Sequence, residues 1–274
     1  LAPPAALPLG RAPGGTTFGI AVHQVLEMVD LTSPTLADDM AERVGEVSRR
    51  SGLMLDVPAT TTGLLSVVDT PLGEQFDHRP LRSFAASDRL AELAFDLSFE
   101  SNRVAAADIG KVLATTLDPA DPLLEYGHHL ASALAVTELA GWLTGSIDAV
   151  FRVGTADHRF VVVDYKSNRL HRRDAVDPLA AYHPDVLVEA MTHSHYPLQA
   201  MLYSVALHRY LSWRLGSGYD PVRQLGGIAY LFVRGMIGTE TPTVDDRPFG
   251  VFSWQPPART VLELDALFRG GSRR

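Results

Sequence analysis

The stretch LTGSIDAVFRVGTADHRFVVVDYKSNRL, residues 143–170, constrains the fold more than any other part of the chain. Two runs of strand-forming residues flank a turn-rich centre, and each run carries charge where a sheet wants apolar side chains. Val161, Val162 and Val163 end in Asp164, Tyr165 and Lys166, and Asp148 lies among Ile147, Val150 and Phe151. Ionised groups on half-buried strands cost on the order of several kcal/mol unless a partner or a metal compensates them.

The hairpin can be tested by its register. Directly opposed residues of an antiparallel pair have a constant sum, and Asp148 and Asp164 sum to 312, centred on the Val153–His158 turn. In that register the two carboxylates face each other with Cβ atoms about 4.5 to 5.5 Å apart, and Lys166, two residues on, shares the face of Asp164. A sum of 311 would put the aspartates on opposite faces. The first register crowds two like charges and calls for a cation, with the lysine near it. The alternative is a salt-bridged strand end in which Asp164 pairs with Lys166 or Arg152.

The chain has no cysteine, so a metal would sit on carboxylates, histidines or carbonyls, a donor set suited to hard ions such as Mg or Mn. Its 274 residues and 46% hydrophobic content allow a large core. No apolar run is long enough for a membrane span and no signal peptide is apparent, which predicts a cytosolic protein. A net charge of −8 argues against a broadly basic nucleic-acid surface but leaves room for a narrow basic track.

Residues 1–15, rich in Pro, Ala and Gly, read as an extended tether with little chance of packing, and 16–274 as one domain. The Leu1 start beside such a tether suggests a piece of a longer polypeptide, with N-terminal processing as the alternative. Helices are expected from Thr16 or Thr17, over Thr35–Arg50, near Thr62–Thr70, over Asp108–Leu117, Leu123–Leu139, Pro184–His193 and Pro197–Leu215, and at Val261–Phe268. Strands are expected around Leu93–Leu97, in the hairpin, in the run IAYLFVRG and at Val251–Trp254. His23 falls inside the first helix, and a lone helical histidine reads as structural. Glu92 and Glu100 read as surface residues. Adjacent His128 and His129 diverge by about 100° on a helix and form no chelate by themselves. His193 and His195, at a helix end, also read as surface. Arg169, Arg172 and Arg173 form a basic cluster, and Gln199 and Tyr203, four apart, share a helical face.

Together, GSIDAVFR, VVVDYKSN, GTTFGIAVHQVLE, HYPLQAMLYSVALHRYL and GGIAYLFVRGM resemble the C-terminal nuclease domain of the RecB subunits of RecBCD, exonuclease V, in the PD-(D/E)xK superfamily. The resemblance covers most of residues 15–238 and is vaguest over 35–140. It implies an α/β fold: a restriction-endonuclease-like core with a mixed central β-sheet flanked by helices, and a helical N-terminal part. It also implies metal ligands at His23, Asp148, Asp164 and the Tyr165 carbonyl, a catalytic lysine at Lys166, and Gln199 and Tyr203 lining the site. By the same resemblance the cofactor is Mg, with Mn or Ca able to substitute in binding. The substrate is single-stranded DNA cut to 5'-phosphate products, and the partners are RecC-like and RecD-like subunits and a helicase region upstream in the same polypeptide. The chain has no GxxxxGK[ST] loop, so ATP hydrolysis is not expected of it. A different class of reading is a catalytically silent docking module of a helicase–nuclease complex.

Overall fold

The computed structural model describes residues 7–99, 103–132, 138–172 and 174–270. Five strands form its central sheet and lie side by side in chain order: β1 (Arg89–Ser98), β2 (Trp142–Val153), β3 (Arg159–Lys166), β4 (Leu225–Phe232) and β5 (Val251–Trp254). The β3/β4 pair is parallel and the other pairs are antiparallel, so the sheet is mixed. Parallel neighbours need a crossover. Residues 167–224 supply it, carrying α6 (Pro184–His193) and α7 (Tyr196–Leu215) over one face.

That face is also covered by α4 (Ala106–Thr116), α5 (Leu124–Ser132) and α8 (Ala258–Phe268), which close over Val150, Val162, Ile228 and Tyr230. The opposite face is covered by α1 (Thr16–Met28), α2 (Leu36–Ser51) and α3 (Val57–Asp69), packed on Phe151, Val161, Val163 and Leu231. With helices on both sides, β3 can be apolar at successive positions, which is why Val161–Val163 run without a polar break. The hairpin adopts the register that sums to 312, from Val153 opposite Arg159 to Ala149 opposite Val163.

Three expectations change. Helix α3 begins at Val57 because Pro58 occupies its first turn, where its missing N–H costs nothing, and the Asp56 side chain accepts the Ala59 N–H at 3.0 Å. Helix α5 is described to Ser132, residues 133–137 of the expected span lie outside the described residues, and Glu138–Leu139 instead pair with Val104–Ala105 in a short ribbon. The tether expected over 1–15 is docked along its described part, residues 7–15. Leu9 is buried beside Phe18, and Arg169 and Arg234 donate to backbone carbonyls of the segment. Composition announces no packing there because one buried leucine, the partly buried Leu7 and Ala12, and main-chain acceptors make it.

Candidate active site

The site forms where β2 and β3 part. Their ladder ends at Ala149–Val163, while β3 continues beside β4 as far as Lys166 opposite Phe232. On its other edge β2 pairs with β1 through Ala91–Ala149 and Leu93–Ile147, skipping Glu92 and Asp148, and Glu92 adopts a left-handed φ of 53°. Ile147 packs with Val150 and Val162 on one side of the sheet, Ala149 with Val161 and Val163 on the other. Regular alternation would have given Ile147 and Ala149 one face. The strand therefore turns over at Asp148, as at a β-bulge.

This irregularity aims the Asp148 carboxylate at β3. Its Oδ2 accepts the Tyr165 N–H at 2.8 Å, a donor that points toward β2 just beyond the ladder. Its Oδ1 lies 3.2 Å from His23 Nδ1, and His23 Nε2 lies 2.7 Å from the Tyr165 carbonyl oxygen. Helix α1 thus delivers His23 to the carbonyl of the same residue whose N–H Asp148 accepts. Both ring nitrogens face acceptors, the arrangement of an imidazolium. Burial works against that charge, but the hydrogen bond and charge of Asp148, the Tyr165 carbonyl and Asp164 outweigh it, and the His23 pKa is raised.

Asp164 is almost completely buried. Burial pushes its pKa up to about 6, with Asp148 adding to the rise while Lys166 and His23 oppose it. Lys166 Nζ lies 2.6 Å from Asp164 Oδ2 and donates to Gln199 Oε1 at 3.1 Å. It also stands 4.1 Å from the centre of the Tyr196 ring and 5.1 Å from that of Tyr230. Gln199 Nε2 donates to the Tyr203 hydroxyl at 2.8 Å, and burial raises the Tyr203 pKa. The salt bridge anticipated at the strand end and the convergence of Asp148 with Asp164 coexist.

The donors suit a hard divalent cation: two carboxylates, an imidazole and a carbonyl, with no sulfur. Asp164 Oδ2 is buried without a hydrogen bond, its nearest partner being the Lys166 charge. Among the described residues no three His, Asp or Glu side chains already stand as a metal cage. The contacts of His23 with Asp148 and Tyr165 occupy the atoms that would bind the ion.

His23, Asp148, Asp164, Tyr165, Lys166, Gln199 and Tyr203 therefore meet in one place. The basic cluster does not join them intact. Arg169 turns to the leading segment, Arg172 pairs with Asp174, and Arg173 lies outside the described residues. His129, His193 and His195 line a separate groove beside α5 and α6. Glu100 lies outside the described residues, and Glu92 is exposed, the surface residue it reads as. It accepts from Ser146 at 3.3 Å and, together with burial, raises the pKa of Glu27, one turn after His23. Tyr196 and Tyr230 are the site residues that sequence reasoning missed. Their signal was a tyrosine three residues before Gln199 and a second one within the apolar run of β4.

Comparisons with known proteins give the family. The family model of the PD-(D/E)XK nuclease superfamily matches residues 7–265. The chain is 44% identical to RecBCD enzyme subunit RecB of Mycolicibacterium smegmatis over 95% of its own length and 24% of the relative's. It is 30% identical to the Escherichia coli protein of the same name, over 94% of its length and 19% of the relative's. The chain thus spans about a quarter or less of these relatives. Nucleases of this superfamily generally use divalent metal ions. With its sheet, its paired aspartates and its lysine, the chain belongs to the PD-(D/E)XK nuclease superfamily.

Proposed function

We propose that residues 16–274 act as a Mg-dependent DNA nuclease of the exonuclease V type, hydrolysing phosphodiester bonds of single strands in double-strand break repair and recombination. The observation that carries this reading is the meeting of Asp148, Asp164, Lys166 and His23 at the parting of β2 and β3. His23, Asp148, Asp164 and the Tyr165 carbonyl would hold the ion. When bound, it supplies Lewis-acid charge to the phosphate and lowers the pKa of water.

The protein's own groups do the rest. Asp164, Gln199 and the two tyrosine rings hold the Lys166 ammonium in one place. From there Nζ orients the attacking water and meets the negative charge that develops on the phosphate. Tyr203 and Tyr230 fix the Gln199 amide from its two ends. Cleavage leaves a 5'-phosphate and a 3'-hydroxyl. In keeping with the names of its relatives, the chain would work in the cytoplasm beside RecC-like and RecD-like subunits, fed by a helicase region of the same polypeptide.

The test is cleavage of labelled single-stranded DNA with Mg and with chelator, for the wild type, Asp164→Ala and Lys166→Ala. Losing several kcal/mol of transition-state stabilisation lowers the rate by about a thousandfold or more. Either variant retaining wild-type activity, or cleavage that persists in chelator, rules the reading out.

A further inference from the structure

Arg234 follows β4 and is completely buried (0% exposed), yet no carboxylate pairs with it among the described residues. Backbone carbonyls surround it instead. Its Nε donates to Ser167 at 2.8 Å, Nη1 to Leu9 at 2.7 Å and to Ala12 at 3.2 Å, and Nη2 to Pro13. The guanidinium also lies 4.9 Å from the centre of the Phe18 ring. Burial and the neighbouring Arg169 bring its pKa down to about 10, which leaves it cationic at neutral pH. An ion held this way depends on every one of its acceptors, because the lost hydration must be replaced in full.

The acceptors belong to three separate parts of the chain. Ser167 directly follows Lys166, Phe18 lies on the helix that carries His23, and Leu9, Ala12 and Pro13 belong to a strap laid across both. Arg169, on the loop after Lys166, grips the same strap through the Ala12 carbonyl at 2.7 Å. The strap is plugged in as well as bonded. Leu9 occupies the space above Gly63 of α3, where an added Cβ would fall 2.3 Å from Leu9 Cδ2. Helix α1 also lies against the strand end, since a Cβ at Gly19 would fall 3.1 Å from Ser167 Oγ.

We propose that Arg234 is a positioning residue of the nuclease site, and that the Leu9–Pro13 strap it grips is a working part of that site. The strap provides three of the four carbonyls that hold the guanidinium. Removing it frees Arg234 and slackens Ser167, and with Ser167 the placement of Lys166. This rests on the nuclease reading given above for its catalytic consequence, while the mechanical coupling stands on its own.

Hydrogen exchange read by mass spectrometry in the intact polypeptide tests the coupling, alongside kcat and KM on single-stranded DNA. Arg234→Lys keeps the charge but loses the fork that spans strap and strand. Gly63→Ala and Leu9→Asp dislodge the strap while leaving the Arg234 side chain itself unaltered. All three variants are expected to speed exchange in peptides covering 9–13 and also 164–169. Because small misplacements at a reacting centre are costly, kcat should fall about 10- to 100-fold with KM within about twofold. Unchanged exchange over 164–169 in all three variants overturns the proposal, as does unchanged kcat where that exchange has risen. A wild type that cleaves nothing would count against the nuclease reading, while the exchange data would still decide the coupling.

Discussion

Tyr230 of β4 stands opposite Asp164 of β3 in the parallel pair, and its hydroxyl donates to Gln199 Oε1 at 3.2 Å and to the Tyr196 carbonyl at 3.1 Å. Its ring stacks against that of Tyr196, 5.7 Å between centres. One side chain from the neighbouring strand therefore braces both the glutamine and the ring that flank Lys166. Tyr230→Phe keeps the ring and removes the donor, and is expected to cost about 1 kcal/mol or slightly more. Thermal melts should show that loss, and cleavage assays should show a lower kcat with little change in KM.

A cation bound by His23, Asp148 and Asp164 must stabilise the fold by mass action. At a hundred times its dissociation constant the gain is about 2.7 kcal/mol. Mn added to the wild type is expected to raise the melting temperature and chelator to reverse it. Asp148→Asn retains an oxygen for the Tyr165 N–H but lacks the charge, so its melting temperature should not respond. A Mn-dependent rise of wild-type size in that variant would show the ion sits elsewhere.

His208, on α7, donates or accepts at Nδ1 with the Tyr219 hydroxyl 3.0 Å away and has Asp265, Arg209 and Arg269 around it. Burial lowers its pKa; Arg269 and Arg209 lower it further and Asp265 opposes them. The folded state thus favours the neutral ring. Its contribution to stability is present above the unfolded value of about 6.5 and is lost as pH falls through the lowered folded value. Urea titrations between about pH 5 and 8 should give a steeper acid-side loss for the wild type than for His208→Gln.

Gly226 and Gly227 of β4 fall where the parallel register with β3 shifts, between Leu225 opposite Phe160 and Ile228 opposite Val162. Gly227 has a φ of 82°, and a Cβ there would lie 2.3 Å from the Trp254 carbonyl oxygen. Gly227→Ala combines left-handed strain with a backbone clash, each worth about 1 to 3 kcal/mol. A correspondingly large fall in melting temperature is expected, and a fall no greater than that of an exposed Gly218→Ala control would contradict it.

Although its register stayed open between sums of 312 and 311 until the fold selected 312, the hairpin was legible in the sequence because a period of two, a turn and a buried valine run mark it. The amphipathic helices were legible for the same reason, and α1, α2, α4, α6 and α7 lie close to where their apolar spacing puts them. Periodicity also explains the misses. Pro58 starts α3 instead of breaking it, and Glu138–Leu139, expected in a helix, pair with a distant strand, which no local pattern records.

By themselves, the residues determined two strand-borne aspartates, a lysine two positions after the second, and a donor set without sulfur. Only the tertiary structure decided that His23, which reads as an ordinary helical histidine, meets the Tyr165 carbonyl 142 positions away. It alone turned β2 over at Asp148, set Tyr196 and Tyr230 around Lys166, and packed Leu9 over Gly63. The physical reason is the range of the forces involved. Strand alternation and helical spacing act between near neighbours and leave a written pattern. The desolvation of Asp164 and Arg234 is settled by whichever distant groups the completed fold brings against them.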